Sequence, residues 1–244
     1  KGSQQGGKRK YWAHKAAVLS TAPDGIPLDA VAMSDAATHD GKSLRPHLKQ
    51  FFATYPELKG KYREVLADTA YDDKTEKKAI EEESGLRVRT DVNPRSRKTQ
   101  TEDLPRGMKS LSPAGTLSCQ VDRPMTYLGM RYQAEEFIYG PPGLAKGHIA
   151  CGDCPLRDTC CRRDTERGRY ASIPFTRLPH IDVDDPPMAR RFKASMRMRP
   201  VIERTIKRIK LDFGDDRLTR RGNNAFQAHL DRSLIAFHLA LRAT

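Results

Sequence analysis

Val65-Leu66-Ala67-Asp68-Thr69-Ala70-Tyr71-Asp72-Asp73 is the stretch that decides the fold. Three apolar residues run into an aspartate, a short polar turn follows, and a charged segment begins at Lys74. A buried parallel strand delivers a carboxylate to the rim of a sheet in this way. In open α/β sheets, chemistry collects at the carboxyl ends of strands. Asp68 is therefore read as a metal-binding catalytic carboxylate, and its partners are sought in the rest of the chain.

Downstream, residues 74–83 read as a charged helix with Ala79 and Ile80 inward, ended by Ser84-Gly85, and residues 86–92 alternate as a strand. Upstream, residues 10–20 and 26–34 read as the strands of a hairpin around the turn signal Ala22-Pro23-Asp24-Gly25. Tyr11 and Trp12 are read as core residues. Leu44, Leu48, Phe51, Phe52 and Tyr55 have helical spacing, with Asp40 or Ser43 as the N-cap. The order is β-β-α-β-α-β.

Residues 93–111 are basic and predict a loop over the site, with Arg95, Arg97 and Lys98 as phosphate contacts or a plain solvated face. Residues 112–187 read as an insertion that carries every cysteine and is closed by Pro186-Pro187. Residues 1–111 and 188–244 then form the two parts of one catalytic domain. A long basic helix is expected over 190–211. A final helix is expected over 225–241, with Phe226, Leu230, Leu234, Phe237 and Leu241 inward.

The composition narrows the class. Lys and Arg number 44 against 31 Asp and Glu, a net charge of +13, and the pI is about 9.7. Such an excess points to a polyanionic partner, most often nucleic acid. Mean hydropathy is −0.71, and no apolar run approaches the ~20 residues of a membrane span. Four of the five cysteines fall within residues 151–161, which suits a reducing compartment and a metal better than a disulfide framework. A phosphate-binding Gly loop, a Ser-His-Asp order and a dinucleotide fingerprint are all lacking. The chain starts on Lys1 in a Gly/Ser/Gln-rich run and reads as a piece of something longer.

The missing partner of Asp68 is sought among the acids of the basic helix. Glu203 is the sole carboxylate between Met196 and Lys210, surrounded by Arg197, Arg199, Arg204, Lys207, Arg208 and Lys210. Arg199, Glu203 and Lys210 share one helical face. Glu203 is either a solvated salt-bridge acid or a metal ligand facing a phosphate backbone, gripped on either side by Arg199 and Lys210.

At this point the sequence resembles the DDE-type insertion-sequence transposases of bacteria. Arg199-(3)-Glu203-(6)-Lys210 matches their terminal signature Tyr-(2)-Arg-(3)-Glu-(6)-Lys, with Met196 in the place of Tyr. Residues 65–73 resemble that family's second-aspartate motif, with Ala70 in the place of Gly. Lys10-Tyr11-Trp12-Ala13-His14-Lys15 resembles its Lys-aromatic-x-x-Lys strand, and Arg221-Gly222-Asn223-Asn224 before the last helix also fits.

The resemblance implies an α/β, ribonuclease H-like mixed sheet flanked by helices. It implies two Mg²⁺ ions held by Asp68, Glu203 and a third acid, with in-line phosphodiester hydrolysis and strand transfer. DNA contacts fall to Lys15, Arg199, Lys207 and Lys210. Double-stranded DNA, both transposon ends and target, is the partner, the full-length protein is expected to be a dimer, and the location is the bacterial cytoplasm at the nucleoid. The first Asp, on a first strand upstream of residues 10–20, has no match here: Asp24, Asp29, Asp35 and Asp40 all fall in the wrong places. The first strand is expected to be lost, leaving unpaired sheet edges and a chain inactive by itself.

Cys151-(2)-Cys154-(5)-Cys160 is the sharpest local spacing. Cys119 is the candidate fourth ligand of a structural Zn²⁺, with Cys161 and His148 behind it. An iron–sulfur cluster, free thiols or an oxidised pair are the other readings. The segment is expected to have too few apolar residues to fold without metal. Two functional alternatives stand beside the transposase: a zinc-stapled DNA-binding remnant that never cuts, and a ribonuclease H-like nuclease with another acid set.

Overall fold

The structure is a computed structural model and describes residues 2–3, 10–11, 14–33, 40–95, 97–147, 150–161, 168–213 and 222–243. The expectations for Trp12, Asp35, His148, Arg221 and the side chain of Tyr11 lie outside the described residues.

In chain order the strands and helices are β1 (Gly2–Ser3), β2 (Lys10–Tyr11), β3 (Ala16–Ser20), β4 (Pro27–Ala32), α1 (Leu44–Thr54), β5 (Glu64–Ala67), α2 (Lys74–Ser84) and β6 (Arg87–Thr90). There follow β7 (Met108–Leu111), β8 (Leu117–Cys119), β9 (Thr126–Arg131), β10 (Glu136–Gly140), α3 (Arg157–Cys160) and β11 (Ala171–Pro174). Last come α4 (Arg190–Met196), α5 (Val201–Asp212) and α6 (Asn223–Arg242). They make a mixed α/β chain of small sheets and helices. It divides into two compact units, Lys1–Thr90 with Ser195–Thr244, and Asp91–Ala194.

In the first unit, β3 and β4 pair antiparallel from Ala16↔Ala32 to Ser20↔Pro27. Thr21 closes their turn through its N–H to the Ile26 carbonyl at 2.9 Å. Further along, β5 and β6 pair parallel, Glu64↔Arg87 to Ala67↔Thr90, with α2 as the connection. This is the β-β-α-β-α-β order read from the sequence. Helix α2 starts where Asp73 accepts the N–H groups of Thr75 and Glu76, and it ends at Gly85 with φ 74°, a conformation cheap only for glycine.

Helix α1 buries Leu44, His47, Leu48 and Phe51, the i, i+3, i+4, i+7 stripe of an amphipathic helix. With Ala67, Ile80, Leu86 and Val88 it forms one core. The expected cap differs: α1 begins at Ser43 without a side-chain cap, and the Ser43 hydroxyl donates instead to the Asp40 carbonyl at 2.7 Å. Helix α6 buries Phe226 and Leu230 against Ala30. Its Phe237 is wholly buried, 5.1 Å from the Phe213 ring and 4.4 Å beneath the Arg208 guanidinium. Leu241, expected inward, is exposed, because the last turn of α6 runs past this packing.

The sheet edges are treated unequally. The outer edge of β4 is satisfied by α6: Gln227 donates to the Ala30 carbonyl and accepts the Ala32 N–H, both at 2.8 Å. Among the described residues no strand pairs with the second edge of β3 or of β5. These strands instead line a cavity of about 330 Å³, with Val18, Leu19, Phe51, Val65, Leu66 and Ile202 on its walls.

The long basic helix expected over 190–211 is two helices. Pro200 has no N–H and its ring clashes with the carbonyl four residues back, so the chain turns at 197–200 and α5 restarts at Val201.

The second unit has a core of its own. Strands β7 and β8 pair antiparallel, and β11-β10-β9 form a three-stranded antiparallel sheet. Leu111, Leu117, Phe137, Tyr139, Ile173 and Leu178 are its most buried residues. Two expectations are corrected here. Residues 108–111 are a strand rather than loop, and the cysteine-bearing segment is not short of apolar residues. The period-2 pattern of its short strands gives no helical signal, which hid the core.

Candidate active site

Strand β5 ends at Ala67, so Asp68 stands at its carboxyl end, as the apolar run predicted. The backbone then turns through Thr69–Tyr71. The Thr69 hydroxyl donates to Asp68 Oδ1 at 2.9 Å. Partial burial pushes the Asp68 carboxyl up. Hydrogen bonds from Thr69, the charge of Arg199 and the Ala70 N–H outweigh it and hold the group below the usual carboxylate range. Asp72, next on this rim, pairs with Lys77 at 2.8 Å, and Asp73 is spent on the α2 cap.

Glu203 lies in the first turn of α5. The helix is seated by Thr205, which is buried and donates its hydroxyl to the Gly25 carbonyl at 2.9 Å. Gly25 has φ +70°, and a Cβ there would meet the Thr205 hydroxyl oxygen at 2.8 Å. Glycine thus lets the β3–β4 turn and α5 approach closely.

Arg199 joins the two acids. Its Nη2 donates to Asp68 Oδ2 at 3.1 Å and its Nη1 donates to Glu203 Oε1 at 2.8 Å. Two carboxylates from distant parts of the chain therefore meet across one guanidinium. Side-chain exposures are 28% for Arg199, 55% for Asp68 and 61% for Glu203, so the cluster is open to solvent. Lys207 and Lys210 are exposed on α5, one and two turns beyond Glu203. Lys15 pairs with Asp40 at 2.5 Å. The other upstream acids are occupied elsewhere or set apart: Asp29 accepts from His47 at 3.0 Å, and Asp24 is exposed in the β3–β4 turn. Arg199 and Glu203 pair at the spacing noted in the sequence, although Arg199 precedes Pro200 in the turn before α5 and does not share one helix with Glu203 and Lys210. The Arg199–Asp68 contact and the Thr205 anchor carry no local signal.

In the second unit, Cys119, Cys151, Cys154, Cys160 and Cys161 all line one small cavity, and all are free thiols. Burial raises the Cys151 and Cys160 thiols, and the neighbouring cysteines add to it, with Cys161 the foremost for each. Cys161, a runner-up on spacing, lines the same cavity as the four expected ligands. Arg169 lines the same cavity, and its Nε is buried without a hydrogen-bond partner. Among the described residues no group of three or more His, Cys, Asp or Glu side chains is drawn together closely enough to hold a metal ion.

No helix among the described residues is long and apolar enough to cross a membrane. No curated protein matches the chain, and no solved structure does. The sequence model of the family described as "Transposase DDE domain" matches residues 1–239, nearly the whole chain, and the chain belongs to that family.

Proposed function

We propose that this chain is the catalytic part of a DNA transposase with a ribonuclease H-like arrangement, and that Asp68 and Glu203 are two of its metal-binding acids. The observation that carries the reading is the Arg199 bridge between them. A guanidinium already lies where a cation is needed, against two carboxylates on rigid elements, and hard oxygen ligands suit Mg²⁺.

When bound, the Mg²⁺ pair supplies Lewis acidity at the attacking and leaving oxygens of a phosphodiester. The chain's own residues do the rest. Asp68 stays ionised, which keeps a ligand charge available. Lys207 and Lys210 offer cations to successive phosphates along the Glu203 face, with Arg199 and Lys15 as further contacts. Contacts of this kind give an affinity that falls with salt.

The third acid belongs on a strand that enters the cavity between β3 and β5. Among the described residues neither strand has a second strand partner, and Val18, Leu19, Val65 and Leu66 line the space. The register of β1 on β2, Gly2↔Tyr11 and Ser3↔Lys10, runs antiparallel.

A structural zinc is proposed at Cys119, Cys151, Cys154 and Cys160, with Cys161 beside them. Four thiolates around Zn²⁺ carry a net charge of −2, and the unpaired Arg169 Nε is a fitting counter-charge.

Glu203→Ala in the full-length protein tests the reading. It is expected to abolish DNA cleavage and to leave binding in a gel-shift titration nearly intact. Undiminished cleavage would remove Glu203 from the site.

A further inference from the structure

We propose that Arg199 is a resident counter-cation of the acid pair. It holds Asp68 and Glu203 together while no metal is bound, and it must release both before a divalent cation enters. This rests on the reading of Asp68 and Glu203 as metal ligands.

Two like charges brought side by side need a cation between them. Arg199 supplies it with opposite ends of one planar guanidinium, 3.1 Å to Asp68 and 2.8 Å to Glu203. The contacts are built to exchange. Both acids are more than half exposed, and ion pairs in such settings are weak. Arg199 also belongs to the turn between α4 and α5, ahead of Pro200. Its side chain can swing away without unwinding the helix that carries Glu203. The anion that takes it over is a nucleic-acid phosphate, which a guanidinium binds in the same forked manner as a carboxylate. Metal entry and backbone binding are then linked through one residue, and such linkage is reciprocal.

The test is calorimetric titration of the chain with Mn²⁺ alone, for wild type, Arg199→Gln, Arg199→Lys, and Arg199→Gln combined with Glu203→Gln. Arg199→Gln is expected to bind Mn²⁺ about tenfold more tightly than wild type, a size within reach of two half-exposed ion pairs. Arg199→Lys should fall between, because an ammonium is a point charge and cannot fork to two carboxylates. Adding Glu203→Gln should remove the gain. With a short DNA duplex present, wild type should approach the Arg199→Gln affinity.

Equal or weaker Mn²⁺ binding by both Arg199 variants, with binding still lost on Glu203→Gln, would overturn the counter-cation role and leave the acid pair standing. Mn²⁺ binding indifferent to Glu203→Gln would overturn both.

Discussion

Arg199 sits at the balance of two demands. An acid pair ready for a cation is unstable without one, and a tightly buried counter-ion would never leave. Half-exposed pairing meets both, since exposed ion pairs contribute about 0–1 kcal/mol each. Asp68 has a depressed pKa, so its contribution to stability is present above the unfolded carboxylate pKa and is lost as pH falls through the folded one. The thiols run the other way. Cys151 and Cys160 are raised, chiefly by burial. The folded state holds their protons more tightly, so stability is lost as pH rises from the unfolded thiol pKa through the folded one. In metal-free protein, alkylation of these two cysteines is therefore expected to reach half-rate at a higher pH than in the urea-unfolded chain. Peptide mass spectrometry across a pH series checks this, and a half-rate at the same or lower pH would refute it. At this scale the sequence was informative where a partner lay close along the chain. Arg199 and Glu203 are such a pair. Asp68 and Arg199 are not, and only the fold brings them together.

Among the elements, α5 matters most, because Glu203 is only as well placed as its helix. Its anchor is the Thr205 hydroxyl on the Gly25 carbonyl, a buried hydrogen bond far from solvent. Thr205→Val keeps the shape and orphans the carbonyl. It is expected to cost about 1–3 kcal/mol in urea-induced unfolding, and a change under a few tenths would show that packing alone seats the helix. The elements themselves were largely legible. Apolar runs and a turn signal located β3, β4 and β5, alternation located β6, and helical spacing located α1, α2 and α6. Pro200 was visible in the sequence, yet the basic run around it read as one helix, because charge pattern carries no backbone information. The exposure of Leu241 has a similar origin: periodicity marks a face but not where its packing partner ends. Strand β7 was hidden by the basic, Pro-bearing run before it.

For the whole molecule, the +13 charge is spread over two compact units, each with its own core. The cysteine-bearing unit has an apolar interior of its own, in which Phe137, Leu111, Leu117 and Ile173 pack with the buried Cys119. In the other unit β3 and β5 line one cavity, and among the described residues neither has a second strand partner. The central claim is that Asp68 and Glu203, far apart in the sequence, belong to one divalent-cation site. Iron(II) substituted for magnesium, with ascorbate and oxygen, cuts polypeptide next to the atoms that hold it. Mapping those cuts by mass spectrometry tests the claim most directly. Two clusters of cleavage are expected, around Asp68 and around Glu203, both suppressed by excess Mg²⁺ and both lost in Glu203→Gln. Cuts at only one of the two positions, or at neither, would contradict it.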